Sequence, residues 1–267
     1  MIERMIFSRI LKFFTKRKDS KIENDSFPNI VEELCKIDLE DESRCSIVHK
    51  NKDLLCKCCL LSALVYQYKD PEHIKEQCAK WNITEYFIDT DNAQLVYGIF
   101  KLKNDVFLSF KGSSSLDDFL TDVNFIKVDD DLNIPGRMHK GFRDLLFGKD
   151  LHKDILDELK KFKYDNLYIT GHSLGGALAT LFFSYIKRFT YCSLVTFGSP
   201  KVGDKEFCEN IRGVRVTNGN DIVPKIYIPF SYKHMHKVYR LGVCNFYRFS
   251  VSDHAVINYY KNLQLLE

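Results

Sequence analysis

The chain lacks any surplus of charge: 39 basic and 36 acidic side chains leave a formal net charge of +3 over 267 residues. That balance gives no general reason to expect a nucleic-acid partner, so strong electrostatics must be local. No stretch reads as a secretory leader, because Arg9 and Lys12 interrupt the one apolar run near the start, where an h-region has to be continuous. A membrane span is also missing. The longest stretch without formal charge, Asn166 to Ile186, has the length of one. However, Gly171, Gly175 and Gly176 cluster in its first half, with β-type residues before them and helix formers after, which divides it into strand, turn and helix. Internal repeats and low-complexity tracts are absent from the sequence. So is a complete disulfide framework, since nine cysteines would leave one thiol unpaired; reduced thiols in an intracellular compartment are the simpler expectation. The Cys56-Lys57-Cys58-Cys59 cluster has no matching CxxC and no nearby histidine pair, so neither metal nor zinc is expected. Small buried residues on a helix from Asp53 to Tyr68 explain it instead.

What is present begins with enough apolar material, 45% of residues, to fill one core of α/β size. In the first twenty residues Arg4, Arg9, Lys12, Lys16, Arg17 and Lys18 interleave with Ile2, Ile6, Ile10, Leu11, Phe13 and Phe14, the pattern of a basic amphipathic helix. Three readings stay open for it: a helix packed on the domain, an anchor at a membrane or lipid-droplet surface, or an organelle-targeting segment. The polar run Asp19 to Asp25 then reads as a linker, which divides the chain into a basic segment over 1–26 and one domain over 27–267.

Within that domain Leu55, Cys58, Cys59, Ser62, Ala63 and Tyr66 share a helical face. Tyr86 to Asp89 and Leu95 to Leu102 read as a hairpin about Asp91-Asn92, followed by a strand from Asp105 to Phe110. Helices over Leu151 to Phe162, Leu174 to Lys187 and Lys205 to Ile211 alternate with strands at Leu167 to Thr170, Ser193 to Phe197 and Val214 to Thr217. Strands alternating with helices predict an α/β fold whose sheet is mostly parallel and covered on both sides.

The sharpest local signal is Gly171-His172-Ser173-Leu174-Gly175-Gly176 between an apolar strand and a helix. It is the G-x-S-x-G elbow in its strand-turn-helix setting: a strained turn lifts the Ser173 hydroxyl above the sheet, and side chains at Gly171 or Gly175 would clash. Ser173 also opens a helix, where free N–H groups favour developing negative charge. A serine hydroxyl needs a base and an orienting carboxylate, which follow it in the order Ser, Asp, His in such folds. Asp221 follows a strand in a loop at the carboxyl end of the sheet, and Asp204 competes with it, although capping the next helix accounts for that residue. For the base, His254 lies in a loop before the terminal helical run. His234 and His236 form an H-x-H pair suited to structural hydrogen bonding, and His172 should point away from the nucleophile.

Taken together, Phe110-Lys111-Gly112-Ser113-Ser114-Ser115, His139-Lys140-Gly141-Phe142, Gly171 to Ala177, Phe197 to Asp204, Asn220-Asp221-Ile222-Val223-Pro224 and Asp253-His254 resemble the class 3, or fungal-type, triacylglycerol lipases. The resemblance spans roughly Leu54 to Tyr260, and the shared order of the motifs is far more specific than any one of them. It implies an α/β-hydrolase fold and a Ser173-Asp221-His254 triad. It also implies an oxyanion hole from Ser113 and the Leu174 N–H, and no cofactor. It further implies a lid after Ser113, where Leu116, Phe119 and Leu120 line one helical face; by pattern alone this is an ordinary amphipathic helix. The expected activity is hydrolysis of carboxylic esters in lipids through an acyl-enzyme. Phospholipase A1, acyl-transferase or thioesterase chemistry by the same triad remains an alternative, as does a silent lipid-binding protein. Lys111 stands where the family commonly has Arg, Phe119 where it often has Trp, and a small residue is missing after His234. These departures bear on substrate preference more than on chemistry.

Overall fold

The computed structural model describes residues 47–90, 95–114, 126–129, 132–226, 232–235, 238–244 and 249–266. The basic N-terminal segment, the domain boundary at 26/27, the candidate lid with Leu116, Phe119 and Leu120, and His236 lie outside the described residues.

One seven-stranded sheet runs in the order β1-β2-β3-β6-β7-β8-β9. Its strands are β1 (Glu85–Ile88), β2 (Tyr97–Leu102), β3 (Asp105–Phe110), β6 (Asn166–His172), β7 (Ser193–Phe197), β8 (Val214–Asn218) and β9 (Val238–Leu241). β1 and β2 form the expected hairpin and β2 pairs antiparallel with β3, while every pairing from β3 to β9 is parallel. A short antiparallel pair, β4 (Lys127–Val128) with β5 (Met138–His139), stands outside this sheet. Among the described residues the α-helices are α1 (Ile47–Leu64), α2 (Pro71–Lys80), α3 (Lys140–Phe147), α4 (Leu151–Leu159), α5 (Leu174–Ile186), α6 (Lys205–Glu209) and α7 (Val256–Gln264).

Alternation along the strands decides which helix covers which face. On β3, Ser109 donates its hydroxyl to the Leu61 carbonyl of α1 at 3.2 Å, while the next ring, Phe110, lies 5.7 Å from Phe182 of α5. On β6, Thr170 meets Ser62 of α1 at 3.1 Å. The helix α1 therefore covers one face, with α7 beside it, and α5 with α3 covers the other. β3 is buried on both sides, which is why Val106-Phe107-Leu108 reads as a continuous apolar run without the alternation of a half-wet strand. α5 is buried almost all round, from Gly175 to Ile186. The uncharged stretch is thus strand, turn and core helix, and no helix among the described residues is long and apolar enough to cross a membrane.

The cysteine cluster fills core positions. Cys56, Cys58 and Cys59 of α1 are buried, and loss of solvation, with Asp53 adding to it, pushes the Cys56 thiol up to about 11. Two helices have no counterpart in the pattern reading. α2 is announced by Asp70, whose carboxylate accepts from the His73 N–H at 3.0 Å, and by Pro71 in the first turn. α3 is capped by His139, whose Nδ1 accepts from the Phe142 N–H at 3.4 Å, a residue type outside the usual N-cap signals.

Candidate active site

The strand β6 stops at His172 and α5 starts at Leu174, so Ser173 alone makes the turn, with φ 59° and ψ −128°. A non-glycine residue at positive φ stores strain of about 1–3 kcal/mol, held in place by its surroundings. The surroundings here are tight. A Cβ on Gly171 would run into the Gly175 carbonyl, and one on Gly175 into the Phe110 carbonyl of β3. The Ser173 N–H donates to Phe197 O of β7 at 2.9 Å, which pins the turn to the adjacent strand.

Asp221 lies in the loop after β8 and His254 in a short 3-10 turn before α7; both are buried, at 1% and 6% exposure. The His254 Nδ1 lies 3.0 Å from Asp221 Oδ1 and 2.9 Å from Oδ2. Since a carboxylate only accepts, Nδ1 carries a proton, and in the neutral ring the lone pair is then on Nε2. The Val223 N–H donates to Asp221 Oδ1 at 2.8 Å, and the Tyr259 hydroxyl of α7 donates to Oδ2. Asp221 is thereby held as a fully engaged acceptor. Gly198, directly after β7, completes the seat: at φ +57°, its Cβ would come within 2.9 Å of Asp221 Oδ2 and 3.0 Å of His254 Nδ1.

The loop after β3 closes over the turn from the other side. A Cβ on Gly112 would lie 3.2 Å from the Ser173 Cβ, so the backbone that continues into Ser113 passes beside the nucleophile turn. Lys111 braces this loop, donating to Gly112 O at 3.1 Å and Ser114 Oγ at 3.0 Å, with its ammonium 5.6 Å from the Tyr66 ring centre. Leu174 supplies a first-turn N–H of α5, one of the donors that a helix cannot satisfy internally.

Sequence reasoning missed the supports. His172 faces α1 by strand alternation. Its Nε2 donates to the His254 carbonyl at 2.7 Å, and its Nδ1 accepts from the Tyr66 hydroxyl at 3.1 Å. Asp253 ties the two loops together, its carboxylate accepting the Asn220 N–H at 2.7 Å and its carbonyl the Asn218 amide at 3.0 Å. The competitors lie elsewhere. Asp204 caps α6 through the Phe207 N–H at 3.1 Å, and His234 donates its Nε2–H to Pro224 O at 2.9 Å. Among the described residues no group of three His, Cys, Asp or Glu side chains is placed to hold a metal ion.

Two expectations follow from this geometry. Tyr259→Phe removes one hydrogen bond to a buried carboxylate while keeping the ring. Hydrolysis should fall roughly tenfold in kcat with KM little changed, and an unchanged kcat in steady-state assays would show that Asp221 needs no such support. The second concerns acid. Burial pulls His139 down to about 4, and burial followed by the charge of Arg215 pulls His234 down to about 3. Burial, then His254, holds His172 well below its ordinary value. All three fold as neutral rings, whereas the unfolded chain takes up their protons below about pH 6.5. Each therefore supports the fold above that pH and loses about 1.4 kcal/mol per pH unit below it. Urea midpoints should fall steeply from pH 7 to pH 5; a flat profile would contradict neutral burial.

Comparison with known proteins gives a consistent picture. Residues 107–230 match the family model described as lipase (class 3). The chain is similar to secreted mono- and diacylglycerol lipase 1 of Fusarium solani, 31% identical over 58% of this chain and 46% of that protein. It is also similar to the lipase of Rhizomucor miehei, 33% identical over 45% of this chain and 37% of that one. The chain thus covers less than half the length of either relative. In three dimensions the Rhizomucor miehei triacylglyceride lipase superposes with a TM-score of 0.63 at 21% identity, covering 79% of this chain and 95% of that one, a likeness of fold.

Proposed function

We propose that the protein hydrolyses carboxylic esters of acylglycerol lipids through Ser173, His254 and Asp221, a reading supported by the match of residues 107–230 to the lipase (class 3) family model. The observation that carries this reading is the buried Asp221–His254 pair, whose Nδ1 contacts at 2.9 and 3.0 Å direct Nε2 away from the carboxylate, together with a serine held on a strained turn.

The steps follow from those roles. His254 Nε2 takes the Ser173 proton as Oγ attacks the ester carbonyl. The tetrahedral oxyanion is met by the Leu174 N–H and by the Ser113 N–H and hydroxyl, donors that act where charge develops. Collapse expels the alcohol, which takes the proton from His254, and leaves an acyl-serine. Water then attacks the acyl carbon with His254 as base, and the fatty acid leaves as Ser173 recovers its proton. Asp221 fixes the tautomer and faces the imidazolium that forms in each half.

A substrate panel tests this reading. Wild-type protein should release fatty acid from emulsified long-chain glyceride and alcohol from a soluble short-chain ester. Faster release from phospholipid would move the assignment to phospholipase A1, and acyl transfer to an alcohol or a thioester product would move it to those chemistries. Folded protein inactive on every ester would leave a lipid-binding role.

A further inference from the structure

Ester hydrolysis at this site needs three parts held against one another: the oxyanion loop that runs through Gly112 into Ser113, the Ser173 turn and the His254 base. They come from the ends of β3 and β6 and from the 3-10 turn before α7, and a misplacement of about 1 Å between such parts costs on the order of a hundredfold in rate. The contacts around Asp221 fix the carboxylate against the base. The base is fixed against the oxyanion loop by a different set of groups, built on the residue that precedes the nucleophile.

His172 is buried at the last position of β6. Burial, and after it the charge of His254, holds its ring well below the ordinary histidine range, so the ring is neutral and carries one N–H. That proton sits on Nε2, which faces the His254 carbonyl at 2.7 Å, because a carbonyl only accepts. Nδ1 is left as an acceptor, and the Tyr66 hydroxyl donates to it at 3.1 Å. With its proton so committed, the phenol oxygen presents its lone pairs, and the Gly112 backbone N–H donates to them. The approach is close: a Cβ on Gly112 would run into the Tyr66 hydroxyl.

A donor meets an acceptor at every link, from the Gly112 N–H to Tyr66, from the Tyr66 hydroxyl to His172 Nδ1, and from His172 Nε2 to the His254 carbonyl. The residues along this chain are the neighbours of the reacting groups. Gly112 precedes Ser113, His172 precedes Ser173, and His254 is the base itself. The His172 ring also lies against the His254 ring, with centres 4.5 Å apart and planes at 35°, which blocks a swing of the base to that side.

We infer that Tyr66 and His172 are positioning residues for the ester hydrolysis, one hydrogen-bond chain from Gly112 to His254 setting the general base against the oxyanion loop. The inference rests on the reading of Ser173, Asp221 and His254 as a hydrolytic triad. Both residues act through the main chain of the groups they hold, so breaking the chain leaves substrate binding in place and lets the base and the oxyanion donors drift apart. The loss then falls on kcat.

The test is steady-state hydrolysis of a soluble short-chain ester by the full chain, with thermal unfolding of every variant followed in parallel. Turnover by wild type that Ser173→Ala abolishes establishes the triad on which the inference rests; no turnover by folded wild type removes both. Tyr66→Phe keeps the ring and should lower kcat roughly tenfold, with KM within about twofold of wild type. His172→Leu, of similar bulk, breaks two links and should lower kcat roughly a hundredfold. His172→Gln, whose amide N–H stands where the Nε2–H was, should recover to within roughly tenfold of wild type. In the double variant Tyr66→Phe, His172→Leu the loss should be smaller than the product of the two single losses, because the second substitution acts on a chain already broken. A pair that only supports the fold would lower Tm and leave the kcat of Tyr66→Phe and His172→Leu within about twofold of wild type. That result overturns the inference and leaves the triad standing, and so do losses that multiply or a His172→Gln variant no faster than His172→Leu.

Discussion

Ser173→Ala is expected to lower kcat for ester hydrolysis on the order of a millionfold. The expectation rests on the turn as much as on the hydroxyl. Alanine keeps the Cβ that already sits at φ 59°, so the glycine contacts on either side and the bond from the residue 173 N–H to Phe197 O survive. What disappears is the atom that would form the covalent bond. Substrate binding and the remaining oxyanion donors persist, so KM should change little and the residual rate should be that of water attack in a preorganised site. Activity within tenfold of wild type would remove Ser173 from the chemistry.

Asp221→Asn should cost about four orders of magnitude in kcat. An asparagine matches the shape of the aspartate, but presents an NH2 group to one of its partners. Turned toward His254, that group needs an acceptor at Nδ1 and so moves the ring proton to Nε2, the nitrogen required as a base. Turned away, it faces the Val223 N–H or the Tyr259 hydroxyl, which now donate to the carboxylate. The imidazolium also loses its counter-charge. Asp204→Asn is the informative comparison. That residue lies in the same carboxyl-end region but caps α6, so the variant should keep its activity and cost at most a few tenths of a kcal/mol of stability, asparagine being as good an N-cap. Equal activity losses in the two variants would undo the assignment.

The strands and the nucleophile turn were legible because their signals are local. Three glycines around Ser173 state the close approaches of one turn, and the apolar run at Val106-Phe107-Leu108 states burial on both faces. The pair Asp221 and His254 was legible only through chain order and family resemblance, since 33 residues separate the partners. The supports were not legible at all. Tyr66 lies 106 residues from His172, and Tyr259 lies 38 from Asp221; in sequence both are ordinary aromatic residues in helical stretches, and their hydroxyls gain meaning only when the sheet brings the turn that follows α1 and the helix α7 together.

The most direct measurement is the intact and peptide mass after incubation with a p-nitrophenyl alkylphosphonate. Attack by a serine oxygen on phosphorus expels p-nitrophenolate and leaves a stable phosphonyl ester where the acyl group would sit. One adduct per chain, on the peptide containing Ser173 and greatly slowed in Asp221→Asn, is the predicted result. An adduct on another residue, or continued ester hydrolysis by protein that takes up no phosphonate, would contradict it.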